Sequence, residues 1–335
     1  MTETPGHGSA RRRRHRLRTA AVGIMGGLAL VVILAAISGK SVADRRASEL
    51  AAERSVAQTR HGKLEYIRWG EGLPVLIVHG AGGGFDQGRL LAKAIGGADL
   101  QFVSVSRFGY LDSDLPADPS IAAQAEAFAD LLDSLGLSRV SILAMSGGVP
   151  PALKFAELYP ERTDRLVLLS SAPFTPFGPQ IEDWPVPDWA YTALMGSDAV
   201  YWALTKVARG VLRKAFDARS DLMIDASPDE QRFVDHLIDG FLPASARLAG
   251  VGNEGAAVDP LATYRLEVVR APTLVVHSQD DRLNPVAIAK ELGTRIPSAR
   301  MILFERGGHL LLGHHAELRA RVGDFLSGER PALPM

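Results

Sequence analysis

Ile142-Leu143-Ala144-Met145-Ser146-Gly147-Gly148 is the stretch on which the reading of this chain turns. The mostly apolar run from Val140 to Met145 reads as a strand buried on both faces of a parallel sheet. It stops at a serine flanked by small residues, and a helix-like pattern, Ala152, Leu153 and Ala156, follows at once. Strand, sharp turn, serine and helix in that order make a nucleophile elbow, whose strained turn needs small neighbours two residues before the serine and one or two after it. Ala144, Gly147 and Gly148 meet the requirement, with a methyl at Ala144 where glycine is commoner. Ser146 is the candidate nucleophile. The competing reading is an ordinary strand-to-helix loop.

The 335 residues, 47% of them apolar, suffice for one large α/β domain or one domain with an insertion. Net charge is −1 overall but unevenly spread: residues 1–18 carry six arginines against Glu3. The basic block is therefore local, and the rest of the chain, acidic on balance, has no footprint for nucleic acid. There are no cysteines, which excludes disulfides, a cysteine nucleophile and thiolate metal sites.

Thr19 to Gly39 holds no charged residue and is rich in Ala, Val, Ile, Leu and Gly. As a helix it would span roughly 30 Å, the thickness of a hydrocarbon core. The expectation is a basic cytoplasmic tail over 1–18, a single transmembrane anchor over 19–39 and a polar, partly helical stalk over 40–61. The arginines ahead of the span keep the N-terminus cytoplasmic and place the rest outside the inner membrane. Cleavage near Ser41-Val42-Ala43, giving a secreted protein, is the alternative.

Pro74 to His79 is a second buried run, and Gly80-Ala81-Gly82-Gly83-Gly84 follows it. The spacing fails both the dinucleotide fingerprint and the P-loop. Beside the alternative of a flexible turn stands a third reading, an oxyanion loop, in which bare backbone turns N–H groups toward developing negative charge. Ala81 N–H is then one donor and Gly147 N–H the other, with Gly82 and Met145 beside the substrate. Gln101 to Ser106 is another strand, and Asp118 to Leu135 an amphipathic helix. Strands alternating with helices predict a mostly parallel sheet covered on both faces. Near the end, the strand Thr273 to His277 leads to two adjacent carboxylates, Asp280 and Asp281, and the strand Arg300 to Glu305 leads to Arg306-Gly307-Gly308-His309. Of the nine histidines, His309 alone combines a strand-end position with a glycine pair that brings the ring round to a serine.

On these stretches, together with Ser106-Arg107-Phe108-Gly109-Tyr110 and the run from Leu158 to Ser171, residues 62–328 resemble an α/β-hydrolase-fold serine hydrolase. The departures are Ala144 and the Leu111-Asp112 pair, where the family often has glycine. The resemblance implies a core of 62–173 and 271–328, with a helical lid inserted over 174–270. It selects Asp281, four residues before Pro285, as the triad acid over Asp280, and gives the order Ser146, Asp281, His309. It implies no metal and no organic cofactor. Three of the four tryptophans fall in the inserted stretch, which points to an apolar acyl substrate, with Phe174 and Phe177 as pocket residues. The leading expectation is a membrane-anchored carboxylic ester hydrolase. A C–C bond hydrolase, thioesterase, amidase or cofactor-free haloperoxidase on the same triad is the alternative, as is a non-catalytic binding protein of the same fold.

Overall fold

Side chains alternate across the central strands, and that alternation sets the layers. The computed structural model describes residues 33–173, 196–254 and 264–328. Among these, the strands β1 (Ser55–Thr59), β2 (Gly62–Trp69), β3 (Leu73–Val78), β4 (Leu100–Val105), β5 (Val140–Met145), β6 (Thr163–Leu169), β7 (Thr273–Ser278) and β8 (Ala299–Phe304) form one sheet. Its order is β1-β2-β4-β3-β5-β6-β7-β8. The pairs β1–β2 and β2–β4 are antiparallel and the rest parallel. On β5, Ile142 and Ala144 face one apolar layer, while Leu143 and Met145 face the other. The first layer is closed by α3 (Ile121–Ser134), α4 (Val149–Leu158) and α10 (Val286–Arg295), and the second by α2 (Phe85–Ile95) and α11 (His315–Ser327). Short helices α5 (Asp198–Val207), α6 (Arg209–Ala215), α7 (Ser220–Asp225), α8 (Pro228–Asp239) and α9 (Leu248–Gly252) come from the inserted stretch.

The expected elbow has the expected backbone. Ser146 sits at φ 51°, in the left-handed region that costs a non-glycine residue free energy. Gly148 lets α4 start directly against β3: a methyl there would lie 2.4 Å from the Val78 carbonyl oxygen and 2.5 Å from that of His79. Both obstacles are backbone, at the end of a central strand and directly after it, and cannot swing away. Gly148→Ala is therefore expected to destabilise the fold by about 1–3 kcal/mol, the usual range for overpacking. A thermal melt showing no fall in Tm would contradict this packing.

The N-terminal expectation is corrected. Among the described residues no helix is long and apolar enough to cross a membrane, so the transmembrane helix, the single-pass topology and the extracytoplasmic placement are withdrawn. Residues 1–32, with the basic tail and most of the expected span, lie outside the described residues. Residues 33–39, the end of that span, belong instead to α1, a helix over 33–53 that runs on through the residues read as a stalk. Helix α1 packs against the body. A methyl on Gly39 would lie 2.6 Å from Ala199 Cα, Ala43 and Leu50 are buried, and Arg46 pairs with Asp86 at 3.2 Å. The expected stalk also contains β1, in register with β2 from Ser55↔Tyr66 to Thr59↔Gly62. The packed face of α1 is that of Gly39, Ala43 and Leu50, whereas Ile33, Leu34 and Ile37 of the expected span are more than half exposed, so apolar composition alone does not say what a segment packs against.

Candidate active site

The candidate side chains sit at the C-terminal ends of the parallel strands, next to the point where strand order reverses around β3, the usual place for a ligand in an open α/β sheet. The loop after β3 carries Ala81, the turn after β5 carries Ser146, and the loops after β7 and β8 carry Asp281 and His309. The first two face each other. A methyl on Gly80 would lie 3.2 Å from Ser146 Cβ and 3.8 Å from its Oγ, and one on Gly147 would lie 3.3 Å from Ala81 N. The two candidate oxyanion donors are thus neighbours, and Ser146 is half-buried.

His309 and Asp281 meet ring to carboxylate, with His309 Nδ1 2.9 Å from Asp281 Oδ2. Asp281 Oδ1 accepts the N–H groups of Leu283 at 2.8 Å and Asn284 at 2.9 Å, which fixes the carboxylate plane. Burial pushes the Asp281 carboxyl up, but His309, the backbone donor and His277 outweigh it and hold it below its ordinary value. Burial pulls the His309 imidazole down, while the carboxylates of Asp281 and Asp217 overcome that and leave it above its ordinary value. Asp280 points elsewhere. Its Oδ1 accepts Gly308 N–H at 2.9 Å and its Oδ2 pairs with Arg219. Among the described residues no group of three or more His, Asp or Glu is arranged to hold a metal ion.

The oxyanion loop is clamped from beneath and covered from above. His79, buried at the end of β3, meets the Gly80 carbonyl through Nδ1 at 2.7 Å and accepts Arg107 N–H through Nε2 at 3.0 Å. Gly82 N–H donates to Tyr110 Oη at 3.2 Å. Arg247, 1% exposed, donates to the Gly83 carbonyl at 2.6 Å and pairs with buried Asp86 at 2.9 Å. Phe241, stacked on Tyr201 with ring centroids 5.1 Å apart, sits on Gly82 so closely that a methyl there would lie 2.2 Å from its ring. A cavity of about 150 Å³ behind the loop is lined by Gly82, Asp86, Phe241 and Arg247, and by none of Ser146, Asp281 and His309. Met145, 9% exposed, belongs to the apolar layer on that side of the sheet. Phe174 and Phe177 lie outside the described residues.

A sequence profile described as the alpha/beta hydrolase fold matches residues 74–316. The chain belongs to this family. It is 29% identical over 274 residues to the 2-hydroxymuconate semialdehyde hydrolase of Pseudomonas putida, an alignment covering 79% of this chain and 90% of that protein. It is 26% identical over 261 residues to the 2-hydroxy-6-oxononadienedioate/2-hydroxy-6-oxononatrienedioate hydrolase of Burkholderia vietnamiensis, covering 76% of this chain and 87% of that one. Among solved structures, an α/β-hydrolase fold protein from Nakamurella multipartita superposes with a TM-score of 0.71 at 25% identity, over 82% of this chain and 99% of that one. The chain is accordingly a hydrolase, with a small molecule as its substrate class.

Reading the sequence missed three residues of this α/β hydrolase that bear on the site: Arg247, Glu254 and Asp217. None sits in a motif or follows a period, and each meets at least one partner across a large chain separation. Asp217, 2% exposed and at φ 56°, binds both loops that carry the acid and the base. Its Oδ2 accepts His309 N–H at 3.0 Å and Arg282 N–H at 3.1 Å, and its Oδ1 accepts from Arg219 at 2.6 Å. Arg219 in turn holds Asp280, which holds Gly308. Asp217→Ala is expected to lower kcat on the order of ten- to a hundredfold by loosening His309. Asp217→Asn removes a negative charge that favours the imidazolium, so the acid limb of the kcat/KM profile is expected to move to lower pH. A profile that stays in place would leave Asp217 a purely structural role.

Proposed function

We propose that the chain hydrolyses a carbonyl compound through Ser146, His309 and Asp281. His309, with Nδ1 engaged by Asp281, has Nε2 left to take the Ser146 proton as Oγ attacks the carbonyl carbon. The N–H groups of Ala81 and Gly147 receive the oxyanion, a contribution typically worth ~10²–10³ in rate per donor. Collapse breaks the bond to the leaving group, which departs with the electron pair and takes the proton from His309. Water, deprotonated by the same ring, then releases the carboxylic acid and restores Ser146.

The bond we assign is carbon–carbon, flanked by a ketone or aldehyde carbonyl and a carbon whose carbanion is delocalised. The alignment to the 2-hydroxymuconate semialdehyde hydrolase, which spans 90% of that protein, carries this choice. The compound in that name has no ester, so its hydrolysis breaks a C–C bond. Ester hydrolysis is the second reading, favoured by the same Ser146 setting and the aromatic cover of Tyr201 and Phe241. The discriminating experiment gives the full chain a 2-hydroxy-6-oxo-dienoic acid and p-nitrophenyl esters of graded chain length in parallel. A kcat/KM for the dienoic acid well above every ester is expected, and the reverse ranking would replace the C–C reading by the ester one. No turnover of either, with no fluorophosphonate labelling of folded protein, would overturn the hydrolytic role of Ser146 and favour a binding protein.

A further inference from the structure

Beside the oxyanion loop lies a built polar cluster that the proposed mechanism does not use. Arg107 is fixed at the end of β4 by its backbone N–H on His79 Nε2 at 3.0 Å and its Nε on the His79 carbonyl at 3.0 Å. Its Nη2 meets Glu254 Oε1, and Tyr110 Oη donates to the same oxygen. Tyr110 Oη also accepts Gly82 N–H at 3.2 Å, so the cluster is tied to the oxyanion loop. The side chains of Arg107 and Glu254 are only 7% and 19% exposed.

The two oxygens of Glu254 are unlike. Oε1 takes both strong contacts, whereas Oε2 has a 3.4 Å approach from Arg107 Nη1. Oε2 lies on the Gly147 side, where a methyl on that glycine would stand 2.5 Å from it and 3.3 Å from Ala81 N. The residue after the candidate nucleophile thus gives up its side-chain space to a carboxylate oxygen, and that oxygen borders the position of the developing oxyanion. Arg107 grips Glu254 as a fork, Nη2 on Oε1 and Nη1 on Oε2, and the longer second arm leaves Oε2 with acceptor capacity to spare. That spare capacity, on the Gly147 side, has a use if the substrate brings a donor there. The donor would satisfy Oε2 and stand between two negative oxygens that otherwise repel.

We propose that Glu254 is a substrate-recognition residue, whose Oε2 accepts a hydrogen bond from a hydroxyl or N–H group on the carbon next to the scissile carbonyl. The inference rests on the proposed hydrolytic reading and deepens it by naming the acyl side of the substrate, an α-hydroxy or α-amino acyl group, whichever bond, C–C or ester, is broken. The same oxygen excludes a carboxylate from that position.

The test pairs methyl mandelate with methyl phenylacetate, which differ by the α-hydroxyl, on the full chain in a pH-stat, each rate divided by its alkaline hydrolysis rate. A hydrogen bond to a charged acceptor predicts a normalised kcat/KM ratio of about tenfold or more in favour of the hydroxy ester. In Glu254→Gln, where the charge is gone and the shape kept, the ratio is expected to fall severalfold. A wild-type ratio near one, or a ratio unchanged in Glu254→Gln, overturns the proposal. Calorimetric titration of wild-type protein with mandelamide and phenylacetamide reads the same contact without turnover. If neither ester is hydrolysed but mandelamide binds about tenfold tighter, recognition by Glu254 stands and the ester reading falls, the dienoic-acid assay alone deciding the C–C reading. Equal affinities overturn the recognition whatever the activity.

Discussion

Ser146→Ala is expected to lower kcat by about 10⁴-fold or more and to abolish fluorophosphonate labelling. The size of the loss follows from the division of labour. The attacking oxygen is the one atom of the mechanism that no neighbour replaces, whereas Ala81 and Gly147 would still polarise the carbonyl and leave a small residual rate from water. A second readout separates chemistry from folding. Ser146 holds a left-handed backbone at φ 51°, and alanine keeps that strain, so the melting temperature of Ser146→Ala is expected to stay near that of the wild type. Ser146→Gly relieves the strain and is expected to gain roughly 1 kcal/mol while being just as inactive. Retained turnover in both variants would remove Ser146 from the mechanism. A fall in the stability of Ser146→Gly would mean that the turn is not strained.

The strands that carry the site were legible because each ends in punctuation. An apolar run reaches a glycine or a polar cluster and stops, as at Met145 before Ser146-Gly147-Gly148 and at Val78 before His79-Gly80. Local signals of that kind place a residue at the edge of the sheet, and the sheet order then brings those edges together. The choice between Asp280 and Asp281 was of a different sort. Adjacent residues in one loop have the same local signal, so it is the resemblance, through the spacing to Pro285, that favours Asp281; the three-dimensional course puts the His309 ring on Asp281 and the Gly308 N–H on Asp280.

What stayed hidden is long-range polar pairing. Asp217 and His309 are 92 residues apart, Arg107 and Glu254 147, and Arg247 and Asp86 161. A charged residue in a helical stretch reads as solvated by default, so buried members of such pairs carry no sequence mark. The N-terminal error has a related cause. Hydropathy marks residues 33–39 as apolar, yet Ile33, Leu34 and Ile37 are exposed and it is Gly39 that is covered, by Ala199 of α5, and no local pattern in either segment announces the other.

Asp281→Asn is expected to cost about 10⁴-fold in kcat/KM, while Asp280→Asn costs far less. The carboxylate does two jobs with two oxygens. Oδ1 accepts from the backbone of Leu283 and Asn284, and Oδ2 faces His309 Nδ1. An asparagine keeps the first set by placing its carbonyl oxygen there, which turns its NH₂ toward His309. The ring must then accept at Nδ1, so its proton moves to Nε2, the atom that has to receive the serine proton. The geometry survives and the tautomer is wrong. Removing the carboxylate also removes the main influence that raises His309, so the acid limb of whatever activity remains is expected to shift to lower pH. His277 does not substitute as a second cation at this carboxylate. Burial draws its imidazole below the ordinary value, against the pull of Asp281, and its Nε2 is 3.0 Å from the Asn284 carbonyl and 3.4 Å from Asp281 Oδ2. Equal losses for Asp280→Asn and Asp281→Asn would show that the ion pair with Arg219, rather than the contact with the ring, sets the rate.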